Sequence, residues 1–136
     1  MRVLAVDFGG SRIGLAAGDL QGIASPLPYL AASGTLARDA QAILKVAKTH
    51  EAELIAVGLP LNEGGEETKM SRICRKLGDS IAALGMEVEY VDESFTSMES
   101  ETALREEGLK ASQVRRRVDG EAAVRIFARL QETRNG

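Results

Sequence analysis

An α/β fold built on one five-stranded mixed sheet is predicted by three features of the chain. Three short apolar runs between Val3 and Leu30 are joined by brief glycine-bearing turns, the pattern of an antiparallel meander. After Thr35 the period changes, and helical stripes alternate with strand-length apolar runs, the pattern of β-α-β crossovers. Asp7, Pro60 and the pair Asp92-Glu93 each follow the last apolar residue of a run, so their strands should end at a common edge.

The elements read in order as follows. Val3 to Val6 is a buried strand stopped by Asp7-Phe8-Gly9-Gly10, and Ile13 to Ala17 is a second. A third lies near Gly22 to Leu30, where Pro26 and Pro28 mark an edge or irregular strand. Leu36, Ala40, Ile43, Leu44 and Ala47 form one stripe of an amphipathic helix. Leu54 to Leu59 is a short strand, closed by Pro60 and a loop through Gly65. Met70, Ile73, Leu77, Ile81 and Leu84 make a second helical stripe, with Gly85 placed to end it. Glu87 to Val91 is the last strand. Thr96 and Glu99 can form a capping box, so a helix is expected from there to Gly108. A final helix is expected from about Asp119, burying Ala123, Ile126, Phe127 and Leu130. No repeat or linker interrupts this order, and 136 residues suit one domain over 1–136.

Composition narrows the chemistry. The chain is 44% apolar and 27% charged, as in ordinary soluble proteins. Its net charge of −3 means that a nucleic-acid partner would need a local basic patch. Scarce aromatics argue against a base-stacking platform. Cys74 and His50 are the only residues of their types, which leaves no disulfide, no ordinary zinc site and no Ser-His-Asp triad. Cys74 falls in a helical pattern as a small core residue, and His50 closes a helix. The N-terminal apolar run is too short for a signal peptide or membrane span, so a cytoplasmic location is expected.

Carboxylates and hydroxyls are therefore the expected working groups. Asp7 alone could be a turn-former. Asp119 shares a helical stripe with Ala122, Ala123, Ile126 and Phe127, and an ionised group there must be paired, coordinated or protonated. It reads either as a helix N-cap or as a metal ligand aimed at the edge holding Asp7 and Glu93. Clustered carboxylates without histidine suit Mg²⁺ or Mn²⁺. Two such ions about 4 Å apart can activate water and stabilise a leaving oxygen at a phosphate.

The motifs around these acids resemble those of a known family. Asp7-Phe8-Gly9-Gly10-Ser11-Arg12-Ile13-Gly14 resembles the opening motif of the YqgF/RuvX family of Holliday-junction-resolvase-like nucleases. Val57-Gly58-Leu59-Pro60-Leu61-Asn62 with Gly64 resembles its second motif, and Asp92-Glu93-Ser94-Phe95-Thr96-Ser97 its third. Val118-Asp119-Gly120-Glu121-Ala122-Ala123 resembles its Asp-x-x-Ala-Ala helix start. The resemblance implies a ribonuclease-H-like fold and a divalent-metal nuclease with Asp7, Glu93 and Asp119 as its acid triad. It implies processing of the 5′ end of pre-16S ribosomal RNA or, by fold analogy, resolution of four-way DNA junctions. Ser94 stands where the family usually has arginine, a difference that bears on substrate grip more than on metal binding.

Lys110, Arg115, Arg116 and Arg117 precede Asp119 in an expected loop, either as a solvated face or as phosphate contacts. Arg12 is a second phosphate candidate. Asn62 with Gly64-Gly65 reads either as a mobile substrate loop or as a long turn. Two rivals remain beside the nuclease. The Asp-x-Gly turn also opens the phosphate loops of actin- and sugar-kinase-like ATPases, but those clamp nucleotide between two such domains. A non-catalytic binder of RNA or junctions could keep the fold alone, but it would have no need of all three acids. The chain could act as a monomer or as a homodimer, the latter suiting paired cuts in a junction.

Overall fold

The computed structural model describes residues 1–93 and 111–135, with side chains described for 1–93 and 120–134. Strands β1 (Arg2–Phe8), β2 (Arg12–Asp19) and β3 (Ala24–Ala31) form the meander. Helix α1 (Leu36–Thr49), β4 (Leu54–Leu59), α2 (Lys69–Ala83) and β5 (Glu87–Asp92) form the crossovers, and α3 spans Ala111–Asn135. The sheet order is β3-β2-β1-β4-β5. β1 runs antiparallel to β2 and parallel to β4, and β4 runs parallel to β5. The predicted five-stranded mixed sheet is therefore present, with the proline-bearing strand at an edge.

The strands alternate because a sheet covered on both faces must bury both sets of side chains. Leu4, Val6, Ile13, Leu15, Ile55 and Val57 pack under α1 and α2 with Ile43, Leu77 and Ile81. Val3, Ala5, Ala16, Leu54 and Ala56 face α3, where Ala123, Ile126, Phe127 and Leu130 cover them. The small side chains on this second face let α3 approach the sheet closely. Gln131 Nε2 donates to the carbonyls of Leu20 and Gly22 at 2.8 and 2.7 Å, and Arg134 pairs with Glu89 at 2.8 Å. The helix is thereby tied to the β2–β3 turn and to β5 at once.

Local chemistry sets the element ends. Gly9 N–H donates to the Arg12 carbonyl at 2.9 Å, and Gly10, at φ +93°, makes the tight hairpin between β1 and β2. Thr68 and Ser71 form a reciprocal capping box at the start of α2. His50 is the C-cap of α1, and Gly85 at φ +97° follows α2. Cys74 is fully buried, and burial first, then the charges of Glu93 and Asp7, push its thiol up to about 12.

Some boundaries differ from expectation. β1 continues through Asp7 to Phe8, because Asp7 pairs with Gly14 and Phe8 with Ile13 in the hairpin ladder. Leu84 caps α2 and stays exposed rather than joining the core stripe. The final helix begins at Ala111, two turns before Asp119, so Asp119 is not its N-cap and Arg115, Arg116 and Arg117 are helical rather than in a loop. Alanine, glutamine and arginine are good helix formers, and nothing between Ala111 and Val118 breaks the helix. The helix expected from Thr96 to Gly108 lies outside the described residues.

Phe127 is 1% exposed beneath this helix. Phe127→Ala should cost about 3–5 kcal/mol in chemical denaturation, as for other large-to-small core changes.

Candidate active site

Register brings two of the three predicted acids together. Odd-numbered β1 residues face α3, so Asp7 does too, beside its ladder partner Gly14. β5 ends at Asp92, and Glu93 N–H donates to the Leu59 carbonyl at 3.0 Å, which carries the chain on past β4. The Glu93 side chain turns in under α3 and is only 7% exposed, whereas Asp7 keeps part of its surface open. The two carboxyls share a hydrogen bond.

Gly58 makes this placement possible. A Cβ there would stand 2.5 Å from Ile126 Cδ1 and 2.8 Å from the Glu93 carboxyl carbon, so only glycine leaves room for both. Arg129 secures the same corner from α3, donating to the Asp92 carbonyl at 2.6 Å with its guanidinium 3.9 Å from the Asp92 carboxylate. Neither Gly58 as a spacer nor Ile126 and Arg129 as supports were singled out in the sequence. The signal for Gly58 was a glycine inside an otherwise apolar strand.

The electrostatics are those of two acids buried side by side. Burial raises Asp7 above the usual aspartate range, and the hydrogen bond from Glu93 partly offsets this. Glu93 is raised as well, by burial first and then by the Asp7 charge, so the folded pair favours holding a proton between the two carboxyls. Among the described residues, Glu93 Oε2 is buried with no hydrogen-bond partner. An orphaned carboxylate oxygen beside a second carboxylate suits a hard divalent cation. Among the described residues no third acid, cysteine or histidine joins them in a metal-holding group. Position 119 lies in α3, in helical register with buried Ala122, Ala123 and Ile126, and its side chain is outside the described set.

The other predicted residues separate. Arg12 lies at the same edge, starts β2 two residues before Gly14 and stacks over Tyr29 at 5.5 Å. Asn62 organises a turn: its Oδ1 accepts from the N–H groups of Gly64 and Glu66, each at 2.9 Å. Thr68 Oγ1 closes that turn on the Pro60 carbonyl at 2.8 Å, so the long-turn reading describes the segment. Lys110 and the side chains of Arg115, Arg116 and Arg117 are outside the described residues.

A family model described as "RuvX: Holliday junction resolvase" matches residues 1–132. The chain belongs to the RuvX family. A relative from Anaeromyxobacter sp. (strain K) is 42% identical over 93% of both chains, and one from Opitutus terrae is 34% identical over 93% of this chain and 88% of its own. Both carry the provisional name of pre-16S rRNA nuclease. RuvX-family membership agrees with the fold. The RuvC of Thermus thermophilus, solved with a Holliday junction substrate, superposes with a TM-score of 0.58 at 16% identity, covering 100% of this chain and 96% of that one. This is the ribonuclease-H-like fold. A ROK family protein from Streptococcus pneumoniae, solved with sucrose, shares the fold at a TM-score of 0.52 and 13% identity, over 81% of this chain and 40% of that one.

Two outcomes test the site. Both carboxyls sit above their ordinary values of 3.8 and 4.5, so the folded chain holds their protons more tightly than the unfolded chain. That stability is present below the unfolded values and is lost as pH rises through the folded ones. In EDTA the melting temperature should fall from about pH 5 towards pH 8, and Asp7→Asn should flatten the fall; a pH-independent offset would count against the shared-proton pair.

Gly58→Ala should both destabilise the fold and weaken divalent-ion binding. Adding Ile126→Val removes Cδ1 and should recover stability in thermal melts. The clash with Glu93 remains in that double variant, so metal binding should not recover.

Proposed function

We propose that this RuvX-family chain is a divalent-metal nuclease that hydrolyses phosphodiester bonds at the 5′ end of pre-16S ribosomal RNA. The observation that carries the reading is the carboxyl pair of Asp7 and Glu93, with one Glu93 oxygen buried and unpartnered among the described residues. Two ionised carboxylates so placed are costly unless a proton or a cation neutralises them, and acids perturbed in this way cluster at functional sites. The names of the relatives support the choice of RNA substrate. A cytoplasmic location goes with that substrate, and no described helix is long and apolar enough to cross a membrane.

Asp7, Glu93 and Asp119 would hold Mg²⁺ or Mn²⁺, which supplies water activation and charge stabilisation at the scissile phosphate. Asp7, partly open, is the member of the pair that faces incoming substrate. Glu93 is held in place by the end of β5 and by Ile126. Arg12 at the same edge is assigned to phosphate contact, as are Lys110, Arg115, Arg116 and Arg117 from their place in the sequence next to Asp119. The Asn62 oxygen is committed to its turn, so any contact it makes uses the amide nitrogen.

A second reading, cleavage of four-way DNA junctions, is favoured by the family's description. Pre-rRNA, single-stranded RNA and four-way junctions should be incubated side by side with Mg²⁺ or Mn²⁺. The expected result is cutting of the precursor RNA, lost in EDTA and in Asp7→Asn and Glu93→Gln proteins that remain folded. Full activity in either variant would overturn the metal assignment, and cutting confined to junctions would select the second reading.

A further inference from the structure

The sheet face opposite α3 carries a second feature at the same edge. Successive strand residues point to opposite faces, so Asp7 turns towards α3 while Phe8 turns towards α1 and α2. There Phe8, Leu36, Met70 and Ile73 wall a cavity of about 380 Å³, with Asp39 and Lys76 as its charged groups. Asp39 is 3% exposed, and its Oδ1 accepts the Ser33 N–H at 2.8 Å, which fixes the carboxylate. Gly10 and Gly34, both at positive φ, line the same space without side chains to close it. The volume lies in the range of small-ligand sites, and apolar walls with a few fixed polar groups are their usual make-up.

Beside the cavity runs a basic stripe that the sequence reading missed. Lys69, Arg72 and Lys76 recur at helical spacing along one side of α2, and all three are exposed. None forms a salt bridge with a carboxylate among the described residues, although Arg72 adds its charge to that of Arg75 in lowering Glu67. The nearby Glu67 is engaged by Arg75, at 2.7 and 3.1 Å. In a chain of net charge −3, three such cations on one helix make a local positive field against the global one.

We propose that this cleft binds one unpaired nucleotide of the substrate strand, its base in the cavity and its flanking phosphates on Lys69, Arg72 and Lys76. The inference rests on the nuclease reading and extends it to a second point of contact. The apolar walls take the faces of a base, Asp39 meets its polar edge, and the stripe complements the backbone charge. A base must leave its stack to enter a cavity of this size, so the nucleotide is an unpaired one. Because Phe8 adjoins Asp7 in β1, a strand crossing the β1–β2 hairpin spans both sites.

The test uses the full chain and a fluorescein-labelled single-stranded RNA of about ten nucleotides, with Asp7→Asn present where cutting must be prevented. The variant Lys69→Ala/Arg72→Ala/Lys76→Ala should melt like its parent. Its log affinity against log salt should flatten by about 0.7 for each lost phosphate contact, about 2 in all. A 2-aminopurine at an unpaired position should brighten on binding, and Ile73→Glu should remove that change while Mn²⁺ binding persists. An unchanged salt slope, or equal binding of a fully paired duplex, overturns the cleft. Cutting by the wild type with both variants unaffected sinks the cleft and spares the nuclease reading. Binding with the expected slope but no cutting of any substrate does the reverse, and absence of all nucleic-acid binding sinks both.

Discussion

Two carboxyl groups compelled to share one buried corner govern the architecture around them. Asp7 and Glu93 repel when both are ionised, and burial raises the penalty. Everything near them serves to keep them close. Gly58 gives up its side chain, Ile126 closes the space above, and Arg129 ties α3 to the end of β5. Apolar packing on the α3 face supplies the stabilisation that offsets the repulsion, with Ala123, Ile126, Phe127 and Leu130 all essentially excluded from solvent. The pair is a strain that the core sustains.

Much of this was legible in the sequence, because it depends on local signals. Strand directions followed from short turns and intervening helices, and the convergence of Asp7 with Glu93 followed from where their apolar runs stop. The start of α3 was misplaced because a run of arginines suggests a solvated loop, although arginine propagates a helix well. The role of Gly58 could not be read locally, since what it spares is space for Ile126, far along the chain. The α2 cations were hidden differently. Spaced among Met70, Ile73 and Cys74, they never form a run, and only the helix gathers them on one side.

The likeness to a sugar-binding ROK protein shows why fold alone did not decide the chemistry. What is particular to this chain is local: a second carboxyl just past the end of β5 packs beside the one on β1.

The placement of α3 also bears on how the chain is made. Its buried residues, Ala122 to Leu130, are synthesised after every strand they cover. Until then the nascent sheet shows water one whole apolar face, Val3, Ala5, Ala16, Leu54 and Ala56, with the Asp7 carboxyl beside them. α1 and α2 can close the other face earlier, so a half-covered sheet is the expected intermediate on the ribosome. In that intermediate the carboxyls are still hydrated and cost little. The same closing step that completes the core also covers the Asp7–Glu93 pair, so in an incompletely made chain that pair stays open to water.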